Sequence, residues 1–156
     1  MSEATIGILV DYESPLASRV AGEVWSGLSR TALKAGFTKT TALWQSLRET
    51  LSTTAPESTS AHIFVIGQDR PDAIDAIKAI DDGPVPHLYG VIVAVPDKPS
   101  TLAGSLLYQG VGRLTHSGVK AGTVEPALLH AVPTECERYA RHFFQRLSKV
   151  LWQHNS

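Results

Sequence analysis

Two acidic residues, Asp11 and Glu13, follow an apolar run at 6–10. Carboxylate oxygens can hold Mg²⁺ together with water. The interpretation we favour is helix capping, in which Asp11 and Ser14 cap a helix that begins at Pro15 and negative charge offsets the helix dipole. The same carboxylates disfavour a tightly held phosphate, because they repel the anion that a helix N-terminus attracts.

The loop 67–71 carries a second set of candidate ligand-binding residues. Asp69 is a candidate nucleophile or base, and Arg70 is a candidate anion clamp. We favour a surface ion pair before Pro71, because exposed charges beside a turn are common. Gly67 stands where a strand is predicted to end, and it allows a tight turn there.

A third set lies in the loop 96–101, which contains Lys98, Ser100 and Thr101, with Gly104 one turn into the predicted helix that follows. Backbone amides at this helix start, together with Lys98, can accept an anion. A helix entry with Ser100 as its N-cap explains the same residues. Both interpretations stay open, and this loop is the best candidate for ligand contact in the sequence.

Histidine and cysteine side chains give little support to a metal centre. The six histidines show neither H-x-x-x-H nor H-E-x-x-H spacing, so we predict no metal. His130 follows the predicted fifth strand and is a candidate base, although a solvated or hydrogen-bonded histidine is commoner. Cys136, the single cysteine, lies in the first turn of a predicted helix, where the pKa of a thiol falls. Since no partner base is visible, we favour a buried, unreactive thiol.

The composition excludes several classes of function. The 156 residues carry 14 Lys plus Arg against 15 Asp plus Glu, and this near-neutral balance argues against a nucleic-acid partner. Neither G-x-G-x-x-G nor G-x-x-x-x-G-K-[ST] occurs, so the familiar nucleotide motifs are missing. The sequence shows no secretory start and no apolar run of roughly 18 residues. With a single cysteine, these features predict a soluble cytoplasmic protein without membrane contact.

Short β-like runs alternate with helical patterns along the chain. Strands are predicted at 6–10, 38–43, 62–66, 89–95 and within 119–130, and helices from 15 to Gly36, at 44–51, around 74–80, at 102–114 and from Pro133 onward. This pattern predicts one α/β domain over residues 1–156, a flavodoxin-like doubly wound parallel sheet in the order 2-1-3-4-5 with helices on both faces. Ligands then meet the carboxyl ends of strands 1, 3 and 4, which carry the loops 11–15, 67–71 and 96–101.

Part of the chain resembles the receiver domains of response regulators. Val10-Asp11-Tyr12-Glu13-Ser14-Pro15 is similar to the acidic loop of that family, and Val124-Glu125-Pro126 is similar to its Lys-Pro element. Gly67 stands in the place of the phosphorylated aspartate, and Glu125 stands in the place of the lysine. The resemblance implies a pseudo-receiver, which takes no phosphate and works through its surfaces.

The segment 90–114 is similar to the flavin-contacting strand and helix of NAD(P)H-dependent FMN reductases, through Val91-Ile92-Val93-Ala94-Val95-Pro96, Ser100-x-x-x-Gly104 and Arg113-Leu114. This resemblance implies FMN as a cofactor. The phosphate loop of that family has a glycine and an arginine at the positions that Glu13 and Leu16 occupy in this sequence. A fainter likeness, through Pro99-Ser100 and 118–124, is to the aminoimidazole ribonucleotide carboxylase or mutase group.

These features predict a non-catalytic interaction or regulatory module of the pseudo-receiver type, without a cofactor, which binds a protein partner or forms a homo-oligomer. Its predicted interface combines the fourth helix, the fifth strand and the last helix. Aromatic residues of the kind that anchor interfaces occur there: Tyr108, Tyr139, Phe143, Phe144 and Trp152. The alternative is a small-molecule enzyme acting at the three loops, first an FMN-dependent NAD(P)H reductase and then an aminoimidazole ribonucleotide mutase.

Overall fold

The computed structural model describes residues 2–46, 61–67, 89–96 and 127–154. These residues form one sheet and two helices: β1 (Ser2–Val10), α1 (Pro15–Thr31), β2 (Phe37–Ser46), β3 (Ala61–Gly67), β4 (Tyr89–Ala94), β5 (Ala127–Leu129) and α2 (Pro133–His154). The strand order is β2-β1-β3-β4-β5, and every neighbouring pair is parallel. The order predicted from the sequence is therefore confirmed.

The inner strands are apolar because both faces of the sheet are covered. Every residue of β3 and β4 is buried. Ile6, Ile8 and Val10 on β1 are fully buried in the same core cluster as residues of α1 and α2. Near-continuous apolar runs of this kind are typical of strands in a parallel sheet. The strand β2 lies at the edge and exposes threonine and lysine side chains instead.

The helix α1 begins where the sequence predicts. Ser14 is its N-cap, with Ser14 Oγ accepting a hydrogen bond from Ala17 N at 3.1 Å. Apolar residues at a spacing of four along this helix are buried, namely Val20, Val24 and Leu28, and Leu16 and Trp25 beside them are partly buried. We expected Gly36 to end the helix. The helix ends at Thr31 instead, and Gly36 adopts a φ of 94° in the turn that leads into β2.

The helices α1 and α2 pack against each other on one face of the sheet. Gly27 of α1 permits a close approach, since a Cβ at this position would lie 3.0 Å from the Cα of Glu137. Near the amino end of β2, the rings of Phe37 and Phe144 are 5.0 Å apart. This contact joins the edge strand to α2 and extends the core to the rim of the sheet.

The prediction of a helix at 44–51 is wrong for residues 44–46. Trp44 to Ser46 continue β2, because they pair in register with residues 8–10 of β1. Pairing with a buried strand overrides a local helical pattern. The remainder of that helix, the predicted loop 52–60 and the predicted helices around 74–80 and at 102–114 lie outside the described residues. Neither described helix offers an apolar stretch long enough to cross a membrane.

Candidate functional site at the carboxyl edge of the sheet

The carboxyl ends of β1, β3 and β4 meet at one edge of the sheet. Asp11 follows β1, and its amide donates to Val65 O on β3 at 3.1 Å. Val95 follows β4, and its amide donates to Leu129 O on β5 at 2.9 Å. The strand order reverses between β1 and β3, and sheets of this kind bind ligands at such a switch point.

The loop after β1 is closed by its own hydrogen bonds. Ser14 N donates to Asp11 O at 2.9 Å, and Glu13 N donates to the Asp11 carboxylate at 3.3 Å. Asp11 is only 8% exposed, whereas Tyr12 is 52% exposed. The prediction of Ser14 as the N-cap is confirmed, and Asp11 supports the turn that leads into it. Among the described residues, no three His, Cys, Asp or Glu side chains gather into a metal site.

The last register pair of β3 and β4 has the smallest side chains of any pair between these two strands. Gly67 and Ala94 are register partners, and each of the pairs before them includes a larger residue. Gly67 has no side chain, and Ala94 has a single methyl group. Both residues are buried, and neither places a side chain larger than a methyl group at the end of its strand.

His130 directly follows β5 and contacts the first turn of α2. Its Nδ1 lies 3.2 Å from Glu135 Oε1. An ionised carboxylate only accepts, so this contact is a hydrogen bond in the tautomer that carries its proton on Nδ1. The carbonyl of His130 accepts from Val132 N at 2.8 Å, which fixes the backbone. His130 is therefore a hydrogen-bonded histidine, which the sequence analysis gave as the commoner case.

Cys136 is buried one turn into α2, as we predicted for an unreactive thiol. Burial raises the pKa of this thiol from 9.0 to about 11, and the carboxylate of Glu23 on α1 raises it further. The expected lowering of the pKa at a helix start is outweighed, because the thiolate loses its hydration in the core. Sγ instead donates to His130 O at 3.5 Å.

Comparison with solved structures identifies the fold to which this geometry belongs. The chain is similar to a diflavin flavoprotein A3 from Nostoc sp., with a TM-score of 0.54, 14% sequence identity and 99% of each chain covered. The chain has the flavodoxin-like fold. A flavodoxin from Streptococcus pneumoniae TIGR4 gives a TM-score of 0.52 at 15% identity, over 95% of this chain and 99% of that chain. No protein-family model matches, and no curated protein shows significant sequence similarity.

The flavodoxin-like sheet contains one buried polar group that the sequence analysis missed. His62 on β3 is 2% exposed, and within the described part of the chain neither ring nitrogen has a hydrogen-bond partner. Burial lowers the pKa of this imidazole from 6.5 to about 4. Its register partner is Gly7 of β1. That glycine was the available signal, since glycine inside a strand often marks a close approach of another group.

Three aromatic residues of the predicted interface lie in the core instead. Tyr139, Phe143 and Phe144 are 6%, 0% and 0% exposed, because the face of α2 that carries them packs against the sheet and α1. They therefore offer no surface to a partner. The prediction that these three residues form an interface is therefore wrong, because they serve burial within this chain. Tyr108 and the side chain of Trp152 lie outside the described part.

The edge of the flavodoxin-like sheet thus brings together only part of the predicted site. Asp11, Glu13 and Ser14 share one loop beside the switch point, and Gly67 lies at the end of the neighbouring strand. The other predicted ligand-binding residues lie outside the described ranges: Asp69, Arg70, Lys98, Ser100, Thr101 and Gly104.

Proposed function

We propose that this chain is a flavin-binding reductase that works at the carboxyl edge of its sheet. A flavodoxin and a diflavin flavoprotein share its fold over nearly its whole length. In sheets of this strand order, a flavin binds at the switch point between β1 and β3. The resemblance of residues 90–114 to NAD(P)H-dependent FMN reductases favours a nicotinamide nucleotide as the electron donor.

The observation that carries this proposal is the pair Gly67 and Ala94 at the ends of β3 and β4. A flavin has a flat tricyclic ring, and such a ring approaches the backbone where side chains do not intervene. Pro96, two residues after β4 and partly exposed, adds apolar surface of the kind that lines ligand sites, whereas Val95 is buried. When bound, a flavin supplies hydride chemistry, and the chain has to hold the ring and exclude water.

The described residues suit the ring of FMN and do not suit its phosphate. In sheets of this class, phosphates bind at the first βα turn, on the amides of the helix N-terminus. Here the amides of Glu13 and Ser14 donate to Asp11 inside the loop, and Ser14 Oγ caps Ala17. The proposal is therefore for a flavin, with no assignment of the phosphate to this turn.

His130 is the described residue of this edge best suited to exchange a proton with a bound ligand. It follows β5 beside the end of β4, where Val95 N donates to Leu129 O at 2.9 Å. Glu135 holds the imidazole in the tautomer that carries its proton on Nδ1, and this tautomer leaves Nε2 for the exchange. Glu135 is then a positioning residue, because it acts through His130.

The proposal is tested by titrating the purified protein with FMN, riboflavin and FAD. We expect quenching of flavin fluorescence and a raised melting temperature, because a ligand that binds only the native state stabilises it. With NADH or NADPH, we expect flavin-dependent loss of nicotinamide absorbance. If no flavin binds and no flavin raises the melting temperature, the proposal is wrong.

A pair of glycine variants locates the site. Gly67→Val places a branched side chain at the end of β3, and we expect it to weaken flavin binding at least tenfold. Gly22→Val is the matched control, because a Cβ at position 22 on α1 meets nothing within 4 Å. Circular dichroism of both variants shows whether the fold is retained. Unchanged affinity in a folded Gly67→Val protein would remove Gly67 from the site.

The second candidate is the non-catalytic interaction module of the pseudo-receiver type. The feature that favours it is the loop after β1, where a buried Asp11 lies beside the exposed Tyr12 and Glu13, as in the acidic loop that receiver domains share. A protein partner or a second copy would then contact the surface around Tyr12. Sedimentation over a range of concentrations tests self-association, and a monomer at every concentration would remove that part of the proposal.

A further inference from the structure

The paired helices α1 and α2 carry an exposed basic surface. Residues 27–35 lie beside residues 136–148, since a Cβ at Gly27 would be 3.0 Å from Glu137 Cα and Ser148 Oγ donates to Ala35 O at 3.4 Å. The two helices therefore run in the same direction and bring their basic segments together. Six exposed bases of these helices and of the turn after α1 form what we call the basic face: Arg30, Lys34, Arg138, Arg141, Arg146 and Lys149.

The basic face has almost no acidic residues close to it in sequence. No Asp or Glu occurs between Glu23 and Glu49, and none follows Glu137. Glu137 lies 3.9 Å from Arg30, and within the described part of the chain the other five bases make no ion pair. The rest of the chain has eight Lys or Arg against 15 Asp or Glu, a formal charge of −7. The basic face is thus a patch of one sign in an otherwise acidic chain, whereas an ordinary surface mixes both signs.

The helix dipole explains only part of this pattern. Cations in the last turn of a helix stabilise it, and Arg30 and Lys34 fit this explanation at the end of α1. Arg138 and Arg141 do not, because they lie more than three turns before the end of α2 at His154. The effect of the dipole is confined to the terminal turns.

Pairing along α2 does not explain these two arginines either. Glu135 stands three residues before Arg138, and Glu137 stands four residues before Arg141, so both acids have the spacing of helical ion pairs. Each carboxylate contacts another element instead. Glu135 Oε1 lies 3.2 Å from His130 Nδ1, and Glu137 Oε1 lies 3.9 Å from an arginine of α1. The arginines of α2 are therefore left for a group from outside the chain.

The composition of the basic face favours carboxylates from a protein. Four of its six bases are arginines, and a guanidinium group binds both oxygens of a carboxylate. Arginine is enriched and lysine depleted in protein interfaces. Leu33 is 76% exposed directly before Lys34, and it offers an apolar contact of the kind that interfaces bury.

The size of the basic face argues against nucleic acid and membranes. A duplex or a lipid surface extends beyond six bases and meets the remaining chain, which carries net negative charge. A folded protein can present an acidic patch of limited area, so it gains the attraction without this repulsion. Charge complementarity therefore selects an acidic protein surface over the other polyanions.

We propose that the basic face docks a partner protein through a surface patch of Asp and Glu side chains. The face lies on α1 and α2, whereas the flavin is proposed to bind at the carboxyl ends of β1, β3 and β4. Docking therefore does not depend on the proposed function, and it is measured without flavin.

Fluorescence anisotropy of a short, labelled peptide of glutamate residues measures the docking. At low ionic strength we expect the unmodified protein to bind this peptide, and added salt should weaken the binding because it screens the attraction. A DNA duplex and vesicles of phosphatidylcholine and phosphatidylserine are compared under the same conditions. Both should bind less tightly than the peptide.

Three variants that each remove one positive charge locate the site. Arg138→Gln and Arg141→Gln should each weaken peptide binding at least threefold at low ionic strength. Arg19→Gln is the matched control, because Arg19 lies on α1 about 16 Å before Arg30 along the helix axis. It should leave the affinity for the peptide unchanged. Circular dichroism and the melting temperature show that each variant is folded.

The outcomes decide between the possible partners. Peptide binding that is weakened by Arg138→Gln and Arg141→Gln and unchanged in Arg19→Gln supports the proposal. If the unmodified protein does not bind the peptide at low ionic strength, or if all three folded variants lose affinity equally, the basic face is not a docking site. Tighter binding of the DNA duplex or of the vesicles overturns the assignment of a protein partner.

Discussion

Gly7 and His62 are partners across β1 and β3, and the imidazole fills the space that a side chain at position 7 would need. A Cβ on residue 7 would lie 2.7 Å from His62 Cδ2. Both ring nitrogens are buried, and neither has a hydrogen-bond partner among the described residues. The sheet thus holds a polar ring in an apolar interior. Burying this ring without hydrogen bonds lowers the free energy of unfolding of the protein.

Gly7→Ala should destabilise the protein by about 2 kcal/mol, because the added methyl group overlaps the imidazole in a packed sheet. Urea unfolding followed by circular dichroism measures this change. The double variant Gly7→Ala/His62→Ala should lose less stability than the two single variants added together, since removing the ring frees the space. Additive effects in this cycle would show that the two residues do not compete for space.

The free energy of unfolding should decrease as the pH falls from 6.5 to about 4, because of His62. The pKa of this group is about 4 in the folded protein against 6.5 for a free imidazole. Between these values the unfolded chain binds more protons, so the free energy of unfolding is highest above pH 6.5 and decreases towards pH 4, by up to about 3 kcal/mol.

Urea unfolding at a series of pH values measures this slope. His62→Leu should remove its steepest part, because the variant has no imidazole to protonate. His142→Gln, at an exposed position of α2, is the control and should retain the slope. An unchanged slope in His62→Leu would assign the acid sensitivity to other groups.

The Cys136 thiol should react slowly with disulfide reagents. Its pKa of about 11 lies two units above the ordinary value of 9.0, so at neutral pH the thiolate is about a hundredfold scarcer than in a free cysteine. Burial adds a barrier to access. Gln145→Cys, at an exposed position of α2, should add one promptly reacting thiol. Prompt reaction of the unmodified protein would show that Cys136 is accessible.

Tyr139→Phe should leave the protein as stable as before or about 1 kcal/mol more stable. The Tyr139 hydroxyl is buried without a hydrogen-bond partner among the described residues, and burial raises its pKa well above the usual range. Removing an unpaired buried hydroxyl removes a desolvation cost. Tyr12→Phe, at a side chain that is 52% exposed, is the control and should change little. A clear loss of stability in Tyr139→Phe would reveal a hydrogen bond at the hydroxyl.

Much of the framework follows from the sequence because burial on both faces of a parallel sheet selects long apolar runs. Residues 62–66 and 89–95 carry such runs, and the observed β3 and β4 extend no more than one residue beyond them. At the edge the signal weakens, because β2 is half-exposed and mixes polar and apolar residues. Trp44 therefore fits a helical pattern locally, and only its pairing with Ile8 of β1 fixes it as strand.

The site is less predictable because its geometry depends on contacts between distant segments. Ser14 as an N-cap is a local signal, and it was predicted correctly. The burial of Tyr139 and Phe143 required knowing which face of α2 meets α1, since an aromatic stripe serves a core or an interface equally well. The pairing of Gly7 with His62 required the register of β1 and β3, which local spacing does not contain.

The two glycines within α1 should respond to alanine with opposite signs. At Gly22 a Cβ meets nothing within 4 Å, so Gly22→Ala should stabilise the protein by about 0.5 to 1 kcal/mol through helix propensity. At Gly27 a Cβ would lie 3.0 Å from the Cα of Glu137 and 3.1 Å from Cys136 O, and the backbone of α2 yields less readily than a side chain. Gly27→Ala should therefore cost about 1 to 2 kcal/mol despite the same gain in propensity.

Urea unfolding of both variants provides the comparison, because each is referred to the same helix in the same protein. The Gly27 variant should also weaken the contact between Arg30 Nε and Glu137 Oε1, which are 3.9 Å apart, since the helices must separate to admit the methyl group. Arg30→Gln should then matter less in the Gly27→Ala background than in the unmodified protein. If Gly27→Ala is as stabilising as Gly22→Ala, α1 and α2 are not in close contact at this crossing.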